Sequence, residues 1–112
     1  MHLIIGGVAQ GKSEYAKLTY PECELWDDFH ERVLEYYREG LSKEEIASKV
    51  LAHAESLAGK LVVISNEIGM GIVPMEKAER EYRELAGRVL CLLAEKSESV
   101  ERIICKIPVK IK

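Results

Sequence analysis

Eight residues near the start of the chain combine types and spacing that suit the binding of phosphate groups. Residues 6–13 read Gly-Gly-Val-Ala-Gln-Gly-Lys-Ser and fit the pattern G-x-x-x-x-G-K-[ST]. In such a loop the glycines let the backbone curl until successive N–H groups point at the phosphates, the lysine reaches the outer phosphates, and the serine binds Mg²⁺. The motif predicts that ATP or GTP, with Mg²⁺, is bound by Gly6, Gly7, Val8, Ala9, Gln10, Gly11, Lys12 and Ser13.

The sequence on either side supplies the strand and the helix that must position this loop. The apolar run Leu3-Ile4-Ile5 precedes it, and residues 14–18 have a helical pattern. A helix that starts near Gly11 brings the partial positive charge of its N-terminus to the same anion site. Strand, loop and helix therefore follow one another in the required order.

The rest of the chain alternates between helical and extended patterns. Four helices are predicted. The first ends by Tyr20, the second runs from Asp28 to Gly40, the third runs from Ser42 to Gly59, and the fourth starts near Pro74. The predicted strands are residues 23–26, 61–65 and 100–105, with a short terminal strand after them. Strands separated by helices predict a single α/β domain over residues 1–112. It should resemble the P-loop NTPases, with three layers and a mainly parallel sheet of about four or five strands flanked by helices.

Composition narrows the class of partner. The net charge of −3 disfavours nucleic acid, although Lys106, Lys110 and Lys112 could form a small basic patch near the end. The apolar run at the start is too short to span a membrane, and no basic region of a signal peptide precedes it. We therefore expect a cytoplasmic protein with no nucleic-acid or membrane partner.

The cysteines are predicted to have no special chemistry. Cys23, Cys91 and Cys105 are odd in number, widely spaced and without a C-x-x-C pair, which disfavours a disulfide framework and a zinc site. We expect them to be buried thiols.

Three acidic residues are candidates for chemistry beside the loop. Glu67 follows the predicted central strand, where it could hold Mg²⁺, accept a proton from an attacking hydroxyl, or bind loop N–H groups. Asp27 and Asp28 follow the preceding strand. Asp28 has the spacing of an N-cap residue three positions before Glu31, which leaves Asp27 as the candidate general base.

A second informative stretch is Asn66-Glu67-Ile68-Gly69-Met70-Gly71-Ile72-Val73-Pro74, followed by Arg80, residues 82–84 and Gly87-Arg88. Together with the phosphate loop, it resembles the bifunctional adenosylcobinamide kinase / adenosylcobinamide-phosphate guanylyltransferase family. Members carry a Gly-Gly-x-x-x-Gly-Lys-Ser loop, an Asn-Glu-Val-Gly-x-Gly-Ile-Val-Pro segment and an Arg-x-Phe-Arg-Asp-x-x-Gly-Arg helix. The resemblance covers residues 1–19 and 61–112.

The resemblance implies a kinase that phosphorylates a corrinoid side-chain hydroxyl of adenosylcobinamide, working as a homo-oligomer. It also favours a functional role for Arg80 and Arg88, which would bind nucleotide phosphates or a neighbouring subunit. Ion pairs with glutamates three or four residues away along the same helix are the alternative for both arginines. Gly69 and Gly71 would form a tight loop near a ligand or a subunit, or simply a turn.

The chain also departs from the family pattern. Family members are longer, and the missing part lies between the second strand and Leu61. Their guanylylated histidine stands in an Arg-x-x-His context that does not occur here. His30 follows the second strand as that histidine does, so it is the candidate nucleophile, with a packed, partly exposed side chain as the alternative. A shortened kinase is the first hypothesis, and a non-catalytic nucleotide-binding module or regulatory subunit is the second. A kinase that acts on another small-molecule acceptor is the third.

Overall fold

A computed structural model describes residues 1–67 and 76–112, which form alternating strands and helices. The strands are β1 (His2–Gly6), β2 (Glu24–Trp26), β3 (Leu61–Asn66), β4 (Ser99–Ile104) and β5 (Ile107–Lys110). The helices are α1 (Lys12–Thr19), α2 (Phe29–Arg38), α3 (Lys43–Ser56) and α4 (Lys77–Lys96). The predicted order of elements is confirmed, with boundaries that differ by a few residues.

The strands form a mainly parallel sheet in the order β2-β3-β1-β4-β5. β1 lies between β3 and β4 and is parallel to both, β2 is parallel to β3, and β5 is antiparallel to β4. The carboxyl ends of the four parallel strands therefore share one edge of the sheet, which is where α/β proteins bind ligands. The predicted fold class is confirmed.

The two faces of the sheet are covered unequally. On one face Ile4, Val62, Ile64 and Ile103 pack with Ala16 of α1. On the other face Leu3, Val63 and Val100 pack with buried side chains of α2, α3 and α4, among them Phe29, Val50 and Val89. Alternating residues of β1 and β3 enter the two cores, so both strands are buried on both faces, as their continuous apolar runs predict. The result is three layers, and among the described helices α1 alone covers its side.

Local sequence signals set several helix ends. Ser42 and Glu45 form the predicted capping box of α3, with each side chain bonded to the backbone N–H of the other residue. α1 ends at Thr19, two residues before Pro21, as the proline predicts.

The prediction of buried cysteines is wrong for two of the three. Cys91 and Cys105 are exposed and Cys23 is partly buried, although all three are free thiols. Cys91 lies off the buried stripe of α4, and Cys105 lies in the turn between β4 and β5. Apolar character alone does not place a small side chain inside when its helix face or turn is solvated.

Exposed apolar side chains collect on the terminal hairpin. Ile107, Val109 and Ile111 are 64%, 45% and 58% exposed. Among the described residues, no helix is both long enough and apolar enough to cross a membrane.

Gly6 lies where β1 approaches the backbone of β4 closely. A Cβ at this position would lie 2.7 Å from the carbonyl oxygen of Ile103 in β4 and 3.3 Å from Cδ of Lys12. The carbonyl of Gly6 also accepts a hydrogen bond from the N–H of Glu67 at 3.0 Å. The sheet can pass directly into the loop only because this residue has no side chain.

Gly6→Ala is expected to destabilise the protein by about 1–3 kcal/mol, because the methyl group meets backbone rather than a movable side chain. Gly87→Ala is the matched control. Gly87 lies inside α4, and a Cβ added there would meet no described residue outside its own helix backbone within 4 Å. Alanine at this position should therefore stabilise the helix by roughly 0.5–1 kcal/mol. Urea denaturation of both variants measures the difference. If the Gly6→Ala and Gly87→Ala variants had equal free energies of unfolding, this result would contradict the close approach at Gly6.

Candidate functional site

The phosphate loop joins the end of β1 to the start of α1. Gly11 is the N-cap residue of α1 and has a φ of 86°, and Ala9 has a φ of 57°. These left-handed conformations turn the chain sharply back onto the helix. Because Gly11 has no side chain, it cannot cap the first N–H groups of α1. Those groups remain available for an anion.

Lys12 is held beneath the loop that it belongs to. Its side chain is 9% exposed, and its ammonium group donates a hydrogen bond to the carbonyl oxygen of Gly7 at 2.5 Å. Burial lowers the pKa of Lys12, while the nearby carboxylates of Asp27, Asp28 and Glu67 act in the opposite direction and favour its charged form. The loop therefore holds a buried cation at its centre.

A cavity of about 460 Å³ opens beside the loop. Its walls come from the last residue of β3 and from the segments that follow β1, β2 and β4. The lining residues are Val8, Ala9, Gln10, Gly11, Lys12, Ser13, Glu14, Asp27, Asp28, Asn66 and Lys106. The structure thus brings predicted site residues from two distant parts of the sequence to one place.

Ser13 and Asp27 are in direct contact at this cavity. The Ser13 hydroxyl donates a hydrogen bond to Oδ2 of Asp27, and Oδ1 of Asp27 accepts one from the N–H of Asp28 at 2.8 Å. A hydroxyl oxygen next to a carboxylate is the kind of donor set that Mg²⁺ prefers. Within the described part of the chain, no group of three or more His, Cys, Asp or Glu side chains could hold a metal.

The predicted capping role of Asp28 is wrong. Asp28 does occupy the N-cap position of α2, but it has a φ of 51°, and its side chain makes no capping hydrogen bond among the described residues. The residue lines the cavity instead. The spacing to Glu31 alone does not fix the backbone conformation that capping needs.

Glu67 faces a different partner. Its carboxylate binds the Arg102 guanidinium through two hydrogen bonds, one of them 2.9 Å long from Nη2 to Oε2. Both residues line a second, mainly apolar cavity between β1, β4 and α4 rather than the cavity at the loop. The structure therefore does not place Glu67 next to Ser13, and its predicted role as a Mg²⁺ ligand stays a prediction.

His30 lies in the first turn of α2, outside the lining of the loop cavity. Its carbonyl oxygen accepts a hydrogen bond from the Tyr82 hydroxyl at 2.7 Å, which ties α2 to α4. Its Nδ1 atom is buried and has no hydrogen-bond partner among the described residues. The structure does not bring this imidazole together with Lys12 or Ser13.

Neither predicted arginine lines the loop cavity. Arg88 donates to Glu84 at 2.5 Å, one turn away on α4. Arg80 is exposed in the first turn of the same helix. For Arg88 the structure shows the predicted alternative, an ion pair within the helix. Nucleotide binding by either arginine stays a prediction. Gly69, Gly71 and Pro74 lie outside the described residues.

Three cavity residues have roles that the motif did not predict. Lys106 and Asn66 line the cavity. Gln10 occupies a variable position of the motif, and it forms hydrogen bonds with the turn between β4 and β5. Asn66 ends β3 beside the loop, so its place could have been read from the strand order. Lys106 was recognisable only as part of a basic patch, because the sequence alone does not show how the terminal hairpin folds back.

A buried carboxylate holds α1 against the sheet. Glu101 of β4 is 9% exposed and accepts hydrogen bonds from the hydroxyls of Tyr15 and Tyr20, with the latter at 2.5 Å. The Tyr20 ring stacks on His2 of β1, with ring centroids 4.4 Å apart. This cluster fixes the helix that carries Lys12 and Ser13.

One known protein family matches most of the chain. The family described as "CobU: Cobinamide kinase / cobinamide phosphate guanyltransferase" matches residues 23–111. The matched range includes the segment between β2 and β3, and it begins after the phosphate loop. The assignment of residues 6–13 therefore depends on the motif and on the geometry described above.

Three bacterial proteins are similar over part of the chain. The "Bifunctional adenosylcobalamin biosynthesis protein CobU" of Salmonella typhimurium and that of Escherichia coli are each 40% identical over 63 residues, which are 56% of this chain. The "Bifunctional adenosylcobalamin biosynthesis protein CobP" of Pseudomonas aeruginosa is 34% identical over 56 residues, which are 50% of this chain. The matched segment spans 35% of the first two proteins and 32% of the third.

Tyr20→Phe is expected to cost about 1.5–3 kcal/mol of stability at pH 7, because it removes a hydrogen bond to a buried carboxylate. Burial, and then the hydrogen bond to Glu101, raise the pKa of Tyr20 from 10.0 to about 12. The unfolded chain therefore loses this proton near pH 10 while the folded protein keeps it, so wild-type stability falls as the pH rises from 10 toward 12. The Tyr20→Phe variant lacks this pH-dependent fall in stability. The difference in stability between the wild type and the variant should therefore shrink as the pH rises from 10 toward 12.

Guanidinium chloride denaturation at several pH values between 7 and 11.5 measures this effect. Tyr37→Phe is the control, since the exposed Tyr37 hydroxyl donates to the exposed Glu81 at 2.8 Å. Its cost should stay within about 0.5 kcal/mol. A Tyr20→Phe variant with wild-type stability at pH 7 would contradict the role of the Glu101 cluster.

Proposed function

This chain belongs to the cobinamide kinase / cobinamide phosphate guanyltransferase family, and we propose that it binds ATP or GTP on residues 6–13 and transfers the γ-phosphoryl group to a hydroxyl. The observation that carries the proposal is the convergence of the phosphate loop, Lys12, Ser13 and Asp27 on one cavity at the carboxyl edge of the sheet. The acceptor we propose is the aminopropanol hydroxyl of adenosylcobinamide. The family description and the names of the relatives support a corrinoid of cobalamin biosynthesis.

Lys12 has the central part in the proposed reaction. When phosphate enters, its ammonium group exchanges the carbonyl of Gly7 for a phosphate oxygen, so a cation already buried in the loop becomes a ligand of the triphosphate. The loop N–H groups and the start of α1 bind the remaining oxygens. These preorganised donors stabilise the charge on the transferring group, which is the main task in phosphoryl transfer.

The donor set beside the loop fits Mg²⁺. Ser13 and Asp27 would hold it, because their hydroxyl and carboxylate oxygens are already adjacent. Bound with the nucleotide, Mg²⁺ supplies positive charge that neutralises the phosphate oxygens. Asp27 also remains the candidate proton acceptor for the attacking hydroxyl, since it is exposed at the mouth of the cavity.

A second function is favoured by the residues that do not reach the cavity. Glu67 is bound by Arg102, and His30 lies outside the cavity lining. The first observation weighs against Glu67 as a Mg²⁺ ligand, and the second weighs against guanylyl transfer through His30. Together they support the alternative of a non-catalytic nucleotide-binding module. Binding of GTP without transfer of its labelled γ-phosphate to adenosylcobinamide is the result that would favour this module over the kinase.

The proposal includes a homo-oligomer, as the family resemblance implies. Ile107, Val109 and Ile111 expose apolar area on β5 and just after it, at the edge of the sheet. An exposed edge strand with apolar side chains is suited to contacts with another subunit.

Lys12→Ala is expected to weaken the binding of a non-hydrolysable GTP or ATP analogue by roughly 10- to 100-fold. This is the effect of losing a hydrogen bond to a charged group. Isothermal titration calorimetry in the presence of Mg²⁺ measures the dissociation constant. Lys17→Ala is the control, because Lys17 is an exposed lysine in the last turn of the same helix.

The control variant should bind as the wild type does, and circular dichroism should show that both variants are folded. If a folded Lys12→Ala variant binds nucleotide as tightly as the wild type, the phosphate-loop proposal fails.

A further inference from the structure

The turn between β4 and β5 has an unusual backbone. Its two central residues, Cys105 and Lys106, have φ values of 50° and 66°. Two-residue hairpin turns with this handedness usually contain Asn or Gly, since other side chains are strained there. The surrounding structure must therefore hold the turn in place. A lysine at such a strained position suggests that its side chain has a role.

The turn is bonded to the phosphate loop through one residue. The N–H of Cys105 donates to the side-chain Oε1 of Gln10 at 2.5 Å, and the N–H of Lys106 donates to the carbonyl oxygen of Gln10 at 3.0 Å. Since Gln10 lies in the middle of the loop, the hairpin turn and the loop form one hydrogen-bonded unit.

The Lys106 side chain lies against the entrance of α1. A Cβ placed on Gly11 would lie 3.0 Å from Cγ of Lys106, so the aliphatic stem lies directly beside the glycine that precedes Lys12. The residue lines the loop cavity. Its ammonium group makes no hydrogen bond or ion pair with the rest of the described chain.

We propose that Lys106 is a second phosphate-binding lysine, brought to the site by the terminal hairpin and aimed at the phosphate chain of the nucleotide. This inference rests on the proposed function of the loop. It extends that function by adding a cation from the opposite end of the chain. Gln10 is then a positioning residue, because it holds the turn that carries Lys106.

The charges of the cavity support this assignment. Among its described lining residues, Glu14, Asp27 and Asp28 supply three carboxylates against two ammonium groups. One of those, on Lys12, is already partly satisfied by the carbonyl of Gly7. A triphosphate adds several negative charges to these walls, so a second lysine within reach reduces the repulsion that binding must overcome.

The test compares Lys106→Gly with Cys105→Gly. Both variants relieve a left-handed backbone, so both should have a melting temperature equal to or above that of the wild type. Lys106→Gly alone removes the ammonium group and should weaken the binding of a non-hydrolysable GTP analogue by roughly tenfold. Cys105→Gly should leave the dissociation constant unchanged. Lys106→Asn provides a second variant that tolerates positive φ and lacks the charge.

The same variants are titrated with inorganic tripolyphosphate, which has no base or ribose. A parallel loss of affinity for this probe supports contact with the phosphate chain. Loss for the GTP analogue with unchanged tripolyphosphate affinity would overturn the phosphate assignment. Unchanged affinity of both Lys106 variants for both probes, in a protein whose binding still depends on Lys12, would overturn the inference while leaving the proposed function intact. If the wild type binds neither probe, the proposed function itself has failed.

Discussion

The site depends on one close approach between backbones, where β1 ends at Gly6. Here the chain pairs with β3 and β4, receives a hydrogen bond from Glu67, and lies too near the Ile103 carbonyl to carry a side chain. The stem of Lys12 packs over the same residue. Because β1 is clamped in the middle of the sheet, the loop that follows it has a fixed starting point. A loop that binds phosphate with backbone N–H groups needs such a rigid base, since its affinity depends on donors that are already aligned.

Everything else at the cavity is placed by the parallel direction of the strands. The carboxyl ends of β1, β2, β3 and β4 lie at one edge, so residues far apart in sequence become neighbours: Ser13 meets Asp27, and Gln10 meets Cys105. The polar cluster around Glu101 anchors α1 from the opposite side. The loop is therefore supported by hydrogen bonds at three places. These are the strand before it, the helix after it and the hairpin beside it.

The sequence predicts the fold well because its signals are local or periodic. The apolar runs of β1 and β3, the capping box at Ser42 and the break at Pro21 each depend on a few neighbouring residues, and the structure agrees with all of them. The site is predicted less completely. Asp28 has the spacing of an N-cap residue, but its φ is left-handed and its side chain makes no capping hydrogen bond among the described residues. Glu67 forms an ion pair with Arg102, which is 35 residues away in sequence. Lys106 reaches the cavity through the fold of a hairpin. Such contacts depend on tertiary geometry, which residue spacing alone does not contain.

We propose that the cavity beside the loop receives a triphosphate chain. The most direct measurement is a crystal structure of the protein grown with Mg²⁺ and a saturating non-hydrolysable GTP analogue. We expect the triphosphate to lie in the cavity, with the Lys12 ammonium group moved from the Gly7 carbonyl onto a phosphate oxygen and the loop N–H groups donating to the same chain. Finding the analogue elsewhere, or an empty cavity with Lys12 still bonded to Gly7, would contradict this claim.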